Sequence, residues 1–144
     1  MADRQPTAGC LPSVIAVDGP AAAGKSALAR RLADALGYTF FDSGVLYRAI
    51  AWAALQRGIS PSDEDALIGL ANSLDIRIGR APAGERQPSR ILIDGQDVTD
   101  QLFQPAVDAV VSTVAAHPRL RLQLLPRQRA VAQQGRVVMA GRDV

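Results

Sequence analysis

The segment Gly19-Pro20-Ala21-Ala22-Ala23-Gly24-Lys25-Ser26 fits the pattern G-x-x-x-x-G-K-[ST] at every fixed position. No other feature restricts the fold as strongly. A run of main-chain amides can curl around a phosphate only if a strand delivers the chain to the turn and a helix leaves it. The flanking sequence meets both conditions. Ser13 to Asp18 is a short apolar run suited to a strand buried on both faces of a parallel sheet, and Lys25 to Leu36 carries Leu28, Leu32, Ala35 and Leu36 on one helical stripe. In this reading Gly19, Pro20, Ala21, Ala22, Ala23 and Gly24 wrap the phosphates. Lys25 supplies a cation near the β- and γ-phosphates, and the Ser26 hydroxyl is placed to hold Mg²⁺. Phosphate binding alone does not separate a kinase from a GTPase or a motor.

The rest of the chain continues an α/β pattern. Tyr38 to Phe41 reads as a second strand, Val45 to Arg57 as a helix closed by Gly58, and Ser60-Pro61 as the start of another helix running to about Leu74, with Asp63 as its capping-box partner. Strand, helix, strand makes a right-handed βαβ unit the expected topology. Then the period changes. Residues 75–79 and 90–94 alternate in the manner of strands, and Gly95 turns into a third short one near 96–98. Residues 80–90 are rich in Pro, Gly and charge and are expected to form a mobile surface loop. Pro105 and Pro118 each open a helix, the second patterned by Leu120, Leu124 and Gln128. Pro126 is expected to kink or end that helix. Arg136 to Ala140 reads as a last buried strand. The expected organisation is a flexible leader over 1–12, the first part of a core over 13–58, an insert with its helices over 59–134, and a return to the core over 135–144.

Composition narrows the partners. The 16 basic residues nearly balance 14 acidic ones, and Lys25 is the only lysine, so the cations are almost all arginine forks suited to phosphate. Aromatics are 4% of the chain, too few for a base-stacking platform, so Tyr47, Trp52 and Phe40-Phe41 are expected in the core and nucleic acid is not an expected partner. No run approaches the roughly 18 apolar residues of a spanning helix, and residues 1–12 lack the apolar stretch of a signal peptide, so a membrane is not expected and the cytoplasm is. The lone Cys10 can form no intrachain disulfide. His117, before Pro118, is expected to neighbour a helix cap.

A second group of residues follows the second strand. Asp42, Ser43 and Gly44 stand where open α/β sheets bind ligands, and Arg48, about one helical turn on, could grip a phosphate. An equally simple reading makes Asp42 or Ser43 a helix cap with Arg48 in solvent. Taken with the phosphate-loop segment from Val17 to Ser26, the Asp42-Ser43-Gly44…Tyr47-Arg48 stretch, the Ile93-Asp94-Gly95…Asp97-Val98-Thr99 stretch and Gly141-Arg142-Asp143 together resemble the bacterial cytidylate kinases. The resemblance runs from about Ser13 to Val144.

It implies a P-loop nucleoside monophosphate kinase fold, a parallel sheet flanked by helices with a small antiparallel CMP-binding insert at about 75–100. It also implies transfer of the ATP γ-phosphoryl group to CMP or dCMP with Mg²⁺. By resemblance, Ser43 lies near the acceptor nucleotide and Arg48 at its phosphate. Ser112 and Arg121 lie at the cytosine, and Arg142 and Asp143 beside the phosphate and pentose, with Lys25 and Arg142 the catalytic cations. As local chemistry, Ser112 could instead bond to its own helix and Arg121 could be solvated. The resemblance further implies that more core strands and a mobile lid follow Val144. This chain is therefore expected to be a shortened form of weak or absent turnover, its strand 13–18 exposing an apolar edge that invites self-association in an ordinarily monomeric family. The alternative is a P-loop nucleotide-binding or interaction module without turnover.

Overall fold

A computed structural model describes residues 13–18, 24–82 and 84–141. The expectations for residues 1–12, the loop Gly19–Ala23, Arg142 and Asp143 lie outside the described residues. Two sheets organise the rest. The first is parallel and contains β1 (Val14–Asp18), β2 (Thr39–Asp42) and β6 (Val137–Gly141), in the order β1-β6-β2. The second is antiparallel, with β3 (Ile76–Arg80), β4 (Ser89–Ile93) and β5 (Gln96–Asp97) in sequence order. The helices are α1 (Lys25–Leu36), α2 (Gly44–Arg57), α3 (Glu64–Ser73), α4 (Pro105–Ala115) and α5 (Pro118–Gln133), with a 3-10 turn at Asp100–Phe103. The parallel sheet and the antiparallel insert both appear where the sequence predicts them.

Strand alternation divides the interior in two. Phe40, Val138 and Ala140 face one side and pack with Ala29, Ala33 and Tyr38, under α1. Phe41, Val137 and Met139 face the other and join the larger core with α2, α3, α4, α5 and the insert. All five residues of β6 are buried, which is why its sequence is a continuous apolar run. β1 pairs on one side only among the described residues, and Val14 is 38% exposed, as expected of an apolar edge.

Four expectations need correction. The third helix starts at Glu64, not Pro61: Asp63 is its cap, its carboxylate accepting from Ala66 N–H at 3.1 Å, while Ser60 forms the preceding turn. α5 runs through Pro126 without ending there. The carbonyl that Pro126 leaves without its helical N–H is that of Leu122, and Leu122 is 66% exposed, so water can take the place of the missing donor. The stretch 80–90 is not a free loop. Arg80 belongs to β3, Ser89 and Arg90 to β4, and the Glu85 and Arg86 carbonyls accept from Arg30 of α1 at 3.1 and 3.2 Å. His117 is itself the cap residue of α5, and its ring Nε2 lies 2.7 Å from the Pro61 carbonyl, tying α5 to the turn before α3. Gly37 and Gly58 close α1 and α2 as the sequence predicts.

Leu120 of α5 is fully enclosed in the larger core, whereas Leu28 of α1 is 59% exposed. Leu120→Ala is expected to cost about 2–5 kcal/mol of unfolding free energy through lost transfer energy and a residual cavity, against under about 0.5 kcal/mol for Leu28→Ala. Urea titration of both variants checks this, and equal losses would mean that the two faces of α1 and α5 are wrongly placed.

Candidate functional site

Parallel pairing fixes where the chemistry collects. Asp18 lies opposite Gly141, and Asp42 opposite Ala140, so the carboxyl ends of all three strands share one edge. The N-terminus of α1 opens at that edge. Gly24 caps it in the left-handed conformation, φ 73°, which a side chain would strain, and its carbonyl takes the first helical bond from Leu28 N–H at 3.1 Å. No acidic residue occupies the first turn of α1, so nothing on the helix opposes an anion at its positive end. Lys25 and Ser26 are the first two residues there.

A cleft of about 990 Å³ gathers Lys25, Asp42, Ser43, Gly44, Ser112, Arg121 and Gly141. These residues come from six elements and the turn between β2 and α2, and the sequence separates the outermost by more than a hundred positions. Backbone bonding holds the turn: Ser43 N–H donates to the Ala140 carbonyl at 3.0 Å, and Gly44 N–H donates to the Asp42 carboxylate at 2.8 Å. Asp42 is thus the side chain that organises the turn, and Ser43 makes no side-chain cap, which leaves its hydroxyl beside the cleft. Arg121 is half-buried. Its guanidinium donates to the Ala115 carbonyl at 3.2 Å and stands 5.6 Å from the centroid of the Tyr47 ring. That combination orients the fork toward the cleft and argues against a freely solvated charge. Tyr47 is core, as predicted, and also forms part of the cleft wall.

Arg48 goes elsewhere. It donates to the Leu102 carbonyl at 3.0 Å, pairs with Asp108 at 2.6 Å and lies 5.0 Å from the Phe103 ring centroid. It lines a smaller cavity of about 390 Å³ that also contains Ser26, Arg30 and Ser89 and shares Asp42 and Gly44 with the larger cleft. The structure therefore brings Lys25, Asp42, Ser43, Gly44, Ser112 and Arg121 together and sets Ser26 and Arg48 on the adjoining side. Arg30 and Gln128 were not singled out as site residues from the sequence. Arg30 follows Ser26 by one helical turn, a spacing that could have flagged it. Gln128 was visible as a polar residue in register with Leu120 and Leu124.

The family follows from comparison with known proteins. The cytidylate kinase family model matches residues 15–144. The chain belongs to the cytidylate kinase family. It is 50% identical over 136 residues to a cytidylate kinase of Roseiflexus castenholzii, covering 92% of this chain and 58% of that protein. It is 51% identical over 131 residues to a cytidylate kinase of Symbiobacterium thermophilum, covering 91% and 57%. A bifunctional pantoate ligase/cytidylate kinase of Synechocystis is 45% identical over 131 residues, covering 91% of this chain and 25% of that protein. The chain thus spans a little over half the length of the first two cytidylate kinases.

The antiparallel sheet of this cytidylate kinase family member is stitched together by charge. Arg90 of β4 bonds Asp97 of β5 at 3.2 Å and Glu85 at 2.9 Å. The Thr99 hydroxyl, donating at 2.5 Å, holds the Asp97 carboxyl below its ordinary value of 3.8, helped by the Thr99 N–H and the Arg90 charge. A depressed folded-state value means a stabilising contribution that is complete above about pH 4 and is lost as the pH falls through the lowered value. Asp97→Asn is therefore expected to lower stability at neutral pH and to flatten the fall in unfolding free energy between pH 4 and pH 2. Chemical denaturation across that range reads both effects, and parallel curves for the two proteins would contradict the assignment.

Proposed function

We propose that this chain forms the acceptor side of a phosphoryl transfer from ATP to CMP or dCMP, giving ADP and CDP or dCDP, within pyrimidine nucleotide metabolism in the cytoplasm. The observation that carries the reading is the single cleft holding Lys25 at the head of α1 together with Ser43, Ser112 and Arg121. A cation at a helix N-terminus and a hydroxyl–guanidinium pair across the same space suit a phosphate at one end and a neutral polar base at the other.

The donor phosphates lie against Gly19–Gly24, with Lys25 neutralising charge that develops on the transferred group. Arg48 and Arg142 receive the acceptor phosphate, and Asp143 the pentose. Arg48 reaches that phosphate by exchanging its Asp108 partner for the incoming anion. Asp108 is 54% exposed and Arg48 26%, so water can solvate the released carboxylate while the Leu102 carbonyl still holds the guanidinium. Ser112 and Arg121 meet the cytosine, which presents an N4 amino donor beside N3 and O2 acceptors.

Mg²⁺ fits the residues present as an ion shared between protein and nucleotide. Among the described residues no group of three or more His, Cys, Asp or Glu could cage a metal, and a hard cation of this kind is commonly held by one or two protein oxygens plus substrate phosphates. Ser26 supplies the hydroxyl. When bound, the ion would draw charge from the phosphates; positioning remains the work of Lys25 and the arginines.

Calorimetric titration tests the acceptor assignment. CMP and dCMP are expected to bind, AMP at least about tenfold more weakly, and Arg121→Ala to raise the Kd for CMP by about tenfold or more, the scale of a lost charge-assisted hydrogen bond. Lys25→Ala is expected to weaken ATP binding while leaving the Kd for CMP within about threefold. Tighter binding of AMP or UMP than of CMP would refute the acceptor named here.

A further inference from the structure

Three polar residues are buried among the described ones: Ser89, Thr99 and Gln128. The Thr99 hydroxyl is fully engaged, accepting from Ile91 N–H and donating to Asp97. Ser89 borders the smaller cavity. Gln128 differs from both. It is 9% exposed, it lies on α5, and it borders the larger cleft. Its amide makes no hydrogen bond with any described residue, yet no side-chain nitrogen or oxygen among the described residues is sealed from solvent without a partner. The amide therefore opens onto the cleft. Water can satisfy an amide that reaches the cleft, and a ligand that displaces that water must replace its hydrogen bonds.

Its position says which ligand group it would meet. Arg121, Leu125 and Gln128 follow one another at spacings of four and three, so they share one face of α5, and all three border the cleft. Arg121 and Gln128 are about 10.5 Å apart along the axis, within the joint reach of two long side chains toward one nucleoside. Leu122 and Leu125 add apolar surface to that wall. An uncharged amide is a poor grip for phosphate, which the cleft already meets with Lys25. It offers one donor and one acceptor side by side, the complement of the adjacent N3 acceptor and N4 donor of cytosine.

We propose that Gln128 is a base-reading residue of the acceptor site, hydrogen-bonded to the N3–N4 edge of the pyrimidine. This rests on the acceptor reading above. The amide is also reversible: turned by 180° it presents donor and acceptor in the opposite order, which matches O4 and the N3–H of uracil equally well. Gln128 therefore holds a pyrimidine edge without choosing between cytosine and uracil, and the choice falls to the other groups of the cleft. A carboxylate at this position can only accept: it could keep one bond, to the N4 amino group of cytosine or the N3–H of uracil, and would face a repelling acceptor in either base, N3 of cytosine or O4 of uracil.

The test is titration of the purified protein and its variants with CMP, dCMP and UMP. Gln128→Met, similar in shape but without the amide, is expected to raise the Kd of all three by a common factor of about tenfold, leaving the CMP to UMP ratio within about twofold. Gln128→Glu, which can only accept, is expected to weaken CMP and UMP alike. In the wild type, the side-chain amide resonance missing from Gln128→Glu should shift on adding CMP, which tests the contact even if Gln128→Met does not fold. An unchanged Kd for CMP in a folded Gln128→Met overturns the proposal. So does a loss confined to CMP with dCMP unaffected, which would place the amide on the ribose 2′-hydroxyl. If the wild type binds CMP, loses it in Arg121→Ala and keeps it in Gln128→Met, only the Gln128 role fails. If the wild type binds neither CMP nor dCMP, the acceptor reading falls, and this one with it.

Discussion

The pairing of β6 between β1 and β2 is the constraint on which the rest of the molecule depends. Residues 137–141 bond to strands that begin far earlier in the sequence, at Val14 and Thr39. Parallel register brings Asp18, Asp42 and Gly141 to one edge, and the head of α1 opens beside them. Without β6, β1 and β2 would have no described neighbour in common, and the turn at Ser43 would lose the Ala140 carbonyl that anchors it. Every residue of β6 is buried, so the strand is held by packing on both faces as well as by its ladder bonds.

Around that strand the two faces do different work. The side under α1 is thin and made of small residues such as Ala29, Ala33 and Ala140, which lets the phosphate-loop helix sit close to the sheet. The other side carries the larger core, and α2, α4 and α5 form the walls of the cleft there. The insert is joined to the first side by Arg30, whose guanidinium reaches two carbonyls of the β3–β4 connection. The helix that begins at Lys25 is thereby tied to the β3–β4 connection of the antiparallel sheet, through one side chain a single turn beyond Ser26.

The arginine-rich composition acquires meaning from these placements. Arg127 bonds the Ala71 and Leu74 carbonyls at the end of α3, both at 2.5 Å, and Arg119 pairs with Glu64 and Asp65 at its start. Those forks are structural, closing the termini of one helix. Arg121, two residues from Arg119, faces the cleft instead. Neighbouring arginines on α5 thus serve packing and the candidate site by turns, a division set by helical phase and not by residue type.

Much of this was legible in the sequence, because it rests on short-range rules. The strand ending at Asp18 and the helix opening at Lys25, the switch to a period of two near Asp75, the closing glycines at 37 and 58, and the grouping of Asp42 to Gly44 all follow from local chemistry or a contiguous motif. Ser112 and Arg121 were legible only through resemblance, since a serine and an arginine in a helix have bland local explanations. What the sequence could not decide depends on neighbours distant along the chain. Asp63 rather than Ser60 caps α3, α5 passes through Pro126 where Leu122, one turn back, is exposed, Arg48 turns to Asp108 and Phe103, and the amide of Gln128 is left for the cleft. The physical reason is common to all four. Helix starts, broken ladder bonds and the direction of a long side chain are settled by which partners and how much solvent the packed structure supplies, and those partners arrive only once β6 has paired with β1 and β2.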